Sequence, residues 1–124
     1  MTLRTLVLAA PLILGLAACG PAEVARAPDP VEPPPGTTGH FCGMDLAEHA
    51  GPKGQIHLAS RGQPVWVSSV RDVFAFVHLP EEPKDIVAIY VNDMGQARNW
   101  DQPEAGTWVE ARAAWFVLGS DRRG

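Results

Sequence analysis

Sulfur is scarce in this chain, and so are the motifs of common catalysis. Its 124 residues hold two cysteines, three methionines and four histidines. It contains no phosphate-binding P-loop, no GxGxxG turn and no His-x-x-x-His pair, so the signatures of nucleotide, dinucleotide and helical zinc chemistry are missing. No catalytic triad or carboxylate pair assembles from any motif. Positive charge is also short: 10 basic residues face 14 acidic ones, a net charge of −4, with no basic stripe. That disfavours nucleic acid as a partner. Long hydrophobic runs are lacking too. The longest, Leu6 to Leu16, falls short of the roughly 20 residues that span a bilayer.

That run has the form of an export signal, with Arg4 before it and Leu16-Ala17-Ala18-Cys19 at its end. The last four residues resemble a bacterial lipobox, whose cysteine is acylated after cleavage on its N-terminal side. The expectation is a signal peptide over 1–18 and a lipidated Cys19. Such a chain is tethered to a membrane on the periplasmic side without crossing it, and more than one acyl chain makes the anchor lasting. Cleavage removes Arg4, leaving 9 basic against 14 acidic residues and a net charge of −5.

Residues 20–39 include six prolines (Pro21, Pro28, Pro30, Pro33, Pro34 and Pro35) and almost no large apolar side chains. With Cys19, they read as a disordered linker over 19–39, reaching roughly 60 Å at about 3.1 Å per residue in polyproline II. A small domain over 40–124 remains. Within it, Gln55–Ala59 and Pro64–Ser68 are β-prone around the turn Ser60-Arg61-Gly62-Gln63. Ser69 is an N-cap for an amphipathic helix carrying Val70, Val73, Phe74 and Val77, which Pro80 stops. Ile86–Val91 is a strand, Asn92-Asp93-Met94-Gly95 a turn, and Thr107–Val109 and Trp115–Leu118 are further strand candidates. Glu110–Ala114 suits either helix or strand. The order β, β, α, β argues for a small α+β domain. Trp66, Trp100, Trp108 and Trp115 are assigned to its core.

With Cys19 acylated, Cys42 has no intramolecular partner, and a lone thiol in an oxidising compartment calls for burial, a metal or a second chain. It lies in Cys42-Gly43-Met44, where a thiolate and a thioether two residues apart suit Cu(I) and not calcium, magnesium or manganese. Met94 is a second candidate thioether. Among the histidines, His49 ranks first as an added ligand and His40 second. His57 lies in the hairpin, and His78 at a helix end, where a cation favours the dipole. A thiol-dependent redox protein and a metal-free scaffold of a membrane assembly are the alternatives. The first lacks a second thiol and a placed base.

Several segments together resemble the NosL family, lipoprotein accessory factors of nitrous oxide reductase. They are Cys42-Gly43-Met44, Gly51-Pro52-Lys53-Gly54-Gln55-Ile56, Pro64-Val65-Trp66, Ser68-Ser69-Val70-Arg71-Asp72, Pro80-Glu81-Glu82, Tyr90-Val91-Asn92-Asp93-Met94 and Thr107-Trp108. They follow in order through nearly the whole domain. The resemblance implies a non-enzymatic copper chaperone that binds Cu(I) and passes it to nitrous oxide reductase or its membrane maturation complex, for assembly of the copper–sulfide centre. It implies a fold of two ββαβ-like halves and a metal site drawn from Cys42, Met44, Met94 and His49. A homodimer sharing one copper is compatible with the same ligands. Ala50 stands where the family usually has proline, and members usually continue past the last residue here with a Gly-rich stretch carrying another methionine.

Overall fold

The computed structural model describes residues 26–122, so the signal peptide and Cys19 lie outside the described residues. Four antiparallel strands and one helix build an α+β domain: β1 (Gly54–Leu58), β2 (Val65–Val67), α1 (Val70–His78), β3 (Ile86–Asn92) and β4 (Trp108–Glu110). The sheet order is β2-β1-β3-β4. β1 to β3 form one ββαβ unit, to which β4 adds an edge strand. Register follows the apolar positions: Ile56 pairs with Val65 on one side and with Ile89 on the other. A one-residue slip would turn this whole set away from the helix.

Ser69 caps α1, its side chain accepting from the Asp72 backbone N–H, and the helix ends at His78 just before Pro80. The inward face departs from the expected one at a single position. Val73 and Phe76 are buried, Val70 and Val77 lie at the margins, and Phe74 is rotated outward. Phe74 meets Phe116 edge-on with centroids 5.1 Å apart. An i, i+3, i+7 spacing leaves room for either 74 or 76 as the fourth contact, and packing against Ile56, Val67 and Val91 selects Phe76.

Two other expectations are corrected. Trp115–Leu118 forms no strand: Trp115 is 99% exposed and Leu118 91%. The 3-10 turn Ala111–Ala113 ends the run of β4 before those residues can pair. Trp115 is therefore no part of the core, whereas Trp66 is buried beside Trp108.

The proline-rich segment is extended but not free along its length. From Pro28 onward it runs across the sheet. The fully buried Gln55 side chain accepts from the Val31 N–H at 3.0 Å and donates to the Val31 carbonyl at 2.9 Å. Tyr90 donates to the Pro28 carbonyl, and Glu32 accepts from the Gly106 N–H and the Trp108 indole N–H. This strap explains a feature that alternation alone misreads. Gln55 and His57 face away from α1, as polar strand residues should, yet both are buried. His57 hydrogen-bonds the Gln55 amide oxygen at 2.9 Å and stands edge-on to Tyr90. Composition could not show the docking, because each bond in it joins residues at least 24 positions apart.

Candidate metal centre

Cys42 sits at the tip of a short hairpin closed by local hydrogen bonds. Thr38 bridges Asp45, the Leu46 N–H donates to the Thr37 carbonyl, and the Gly39 N–H donates to the Met44 carbonyl. Gly43 has φ 66° and its N–H returns to the Gly39 carbonyl at 2.8 Å. That left-handed conformation favours glycine between the two sulfur residues. Gly39 answers a different need. A Cβ there would lie 2.7 Å from Cys42 Sγ and 3.4 Å from Ser68 Cβ, so only a bare backbone lets the thiol fold back over β2. The His40 N–H tacks the hairpin to the Trp66 carbonyl of β2 at 2.7 Å.

The thiol is exposed, with four polar neighbours. Sγ lies 3.5 Å from His49 Nε2, 3.7 Å from Ser68 Oγ, 3.9 Å from the Gly39 carbonyl and 4.0 Å from the Met44 carbonyl. Two ligands on one ion, with metal–sulfur and metal–nitrogen bonds of about 2.3 and 2.0 Å at a near-tetrahedral angle, stand roughly 3.5 Å apart. The Cys42–His49 pair already has that separation. His49 closes the 3-10 turn Leu46–Glu48, whose N-cap is Asp45.

The sequence candidates divide as follows. Met44 shares the hairpin with Cys42 and is 48% exposed, leaving its flexible thioether free to turn toward the sulfur. Met94 is half-buried in the turn after β3, in a shallow cavity with Ala97, Arg98, Trp100 and Arg122. That loop adjoins the His49 segment: the Gly51 N–H donates to the Trp100 carbonyl and the Gln102 amide to the Ala47 carbonyl. His40 turns elsewhere. Its Nε2 pairs with Glu82 at 2.9 Å, and its ring stacks edge-on against Phe76. Among the described residues no three His, Cys, Asp or Glu side chains gather into a metal cluster. A metal here therefore needs a thioether or an external ligand beside Cys42 and His49.

Sequence reasoning passed over Lys53. Its buried ammonium donates to the His49 and Gly51 carbonyls at 2.6 and 2.5 Å, clamping the turn that carries His49. Burial pushes this lysine below its ordinary pKa. A lysine between Pro52 and the β-prone run was the available signal. It reads as a solvated charge until its stem is seen to enter the fold.

A sequence model of the NosL family matches residues 30–124. The chain is 47% identical to the copper-binding lipoprotein NosL of Achromobacter cycloclastes over 98% of its length, and 32% identical to that of Stutzerimonas stutzeri over 94%. It spans about three fifths of the length of those two relatives, 63% and 60%. In three dimensions it resembles the crystal structure of the copper chaperone NosL from Shewanella denitrificans. The TM-score is 0.70 and the identity 32%, with 77% of this chain and 71% of that one covered.

Proposed function

The chain belongs to the NosL family, and we propose that it is a lipid-anchored Cu(I) carrier delivering copper for assembly of the copper–sulfide centre of nitrous oxide reductase. The observation that carries the copper reading is the 3.5 Å approach of Cys42 Sγ to His49 Nε2 on an exposed turn. The named relatives are a copper-binding lipoprotein and a copper chaperone. Soft sulfur with imidazole suits Cu(I). Two protein ligands plus the exposed Met44 thioether leave a coordination position for a receiving protein. Met94, on the adjoining loop, is the further ligand of this reading. The reduced protein is expected to bind about one Cu(I) per monomer, or one per dimer, in competition with a Cu(I) chelator. Preferential retention of Zn(II) would contradict the proposal.

The ligand assignment separates the histidines. His49→Ala and Met44→Ala should each weaken Cu(I) binding by about tenfold to a hundredfold, roughly 1.4–3 kcal/mol. His40→Ala should change it by less than about threefold, because its ring nitrogen already serves Glu82. Equal losses from His40→Ala and His49→Ala in the chelator competition would refute this ligand set.

The anchor is part of the same reading. Docking from Pro28 leaves only residues 20–27 between Cys19 and the domain, a reach of roughly 30 Å when fully extended. At the same extension the whole proline-rich segment would reach more than twice as far. The copper site is then held close to the periplasmic face of the membrane. Mass spectrometry of membrane-extracted protein should show cleavage before Cys19 and added acyl mass. A soluble product that retains Ala18 would rule the anchor out.

A further inference from the structure

We propose that the Ser68 hydroxyl positions and stabilises the Cys42 sulfur, and that Asp72 opposes it by competing for the same proton. This rests on reading Cys42 as the copper thiolate. Ser68 follows β2 and is 5% exposed. Its Oγ lies 3.7 Å from Cys42 Sγ and donates to Asp72 Oδ2 at 3.1 Å. Two serines stand in a row before α1, and Ser69 alone caps the helix. Ser68 therefore has no capping task, and its hydroxyl lies between a sulfur and a carboxylate.

A hydroxyl has one proton and two lone pairs. While Cys42 is a thiol the chain runs one way: S–H donates to Ser68 Oγ, and Ser68 donates to Asp72. A copper-bound thiolate can only accept, so sulfur and carboxylate then compete for the single Ser68 proton. The third helical residue commonly supports its helix by reaching back to the N-cap N–H or by placing charge at the dipole. Asp72 places its charge in the first turn of α1, and its carboxylate also accepts a hydrogen bond from Ser68, no more than about 7 Å from Cys42 Sγ along the two contacts. Asp72 is thus a positioning residue that acts through Ser68. It weakens the hold on copper, as a carrier that must release its metal requires.

The two residues then carry opposite signs. Ser68→Ala should lower Cu(I) affinity about tenfold, in the range known for outer hydrogen-bond partners of metal ligands. Asp72→Asn should raise it about threefold to tenfold, since an amide competes less strongly for the proton and carries no charge. In the Ser68→Ala background, the Asp72→Asn gain should shrink by at least half. The alkylation rate of Cys42 by iodoacetamide in the metal-free protein, at one fixed pH, should order Asp72→Asn above the parent, with that gain at least halved in the Ser68→Ala background. Circular dichroism melts check that each variant is folded. If Asp72→Asn weakens copper binding or slows alkylation, Asp72 is only a helix-capping acid and the proposal fails. Changes below twofold in both measurements also overturn it, while leaving copper binding by the parent intact. If the parent binds no Cu(I) yet the alkylation order holds, the copper reading fails and the role of Ser68 stands.

Discussion

Replacing Cys42 with serine is expected to lower Cu(I) affinity at least a thousandfold, or about 4 kcal/mol. The thiolate is the one anionic soft ligand available, because Cys42 is the free cysteine among the described residues. Histidine and thioether ligands are neutral, and a serine hydroxyl is a hard donor with little affinity for Cu(I). Among the described residues no three His, Cys, Asp or Glu side chains gather that could hold the ion without the thiolate. The fold should survive the change. Cys42 is exposed, and its hairpin is closed by backbone bonds that do not involve the thiol. Chelator competition on the reduced variant, with a circular dichroism control, measures the effect. Affinity within tenfold of the parent would move the copper site elsewhere and end the assignment.

The second large effect concerns stability. Gln55→Ala should destabilise the domain by about 2–4 kcal/mol, because it removes the clamp on the strap and leaves polar groups without partners. The side chain is fully buried and makes three hydrogen bonds, two to the Val31 backbone and one to His57. Urea unfolding gives the magnitude, and limited proteolysis over 28–35 should show the strap released. Tyr90→Phe removes one more exposed strap bond and should cost only about 1 kcal/mol. Unchanged proteolysis in Gln55→Ala would mean that the strap is held by other contacts. The clamp also confers a pH dependence. Burial pushes His57 below its ordinary value of 6.5, so the unfolded chain takes up its proton first. This contribution is intact above about pH 6.5 and is lost as pH falls from there through the lowered folded value. His57→Gln should flatten that part of the stability profile.

Much of the fold was legible because its cues are local. Ser69 before an apolar-periodic run and Pro80 after it set the ends of α1 to within two residues. The turn over 60–63 produced the β1–β2 hairpin. Errors arose where a residue's environment is supplied from far along the chain. Phe74 and Phe76 cannot be ranked by spacing alone. Trp115–Leu118 has strand composition, but the turn after β4 leaves it without a neighbouring strand. Proline content suggested a disordered linker, and it could not reveal that Gln55 and Tyr90 hold Val31 and Pro28 from across the sheet.

The candidate site divides the same way. By itself the sequence determined the spacing of the two sulfurs in Cys42-Gly43-Met44, the softness of these donors and the shortage of any competing chemistry, because these depend on residue type and spacing within a few positions. Only the tertiary structure decided what surrounds the sulfur. It brings His49 to 3.5 Å and diverts His40 to Glu82. It leaves Met94 on an adjoining loop and sets Ser68 with Asp72 against the thiol. The physical reason is that a hydrogen bond or ligand pair needs ångström-level placement. That placement is set by sheet register, by the close approach at Gly39 and by the buried Lys53 clamp, which act together only once the chain has packed.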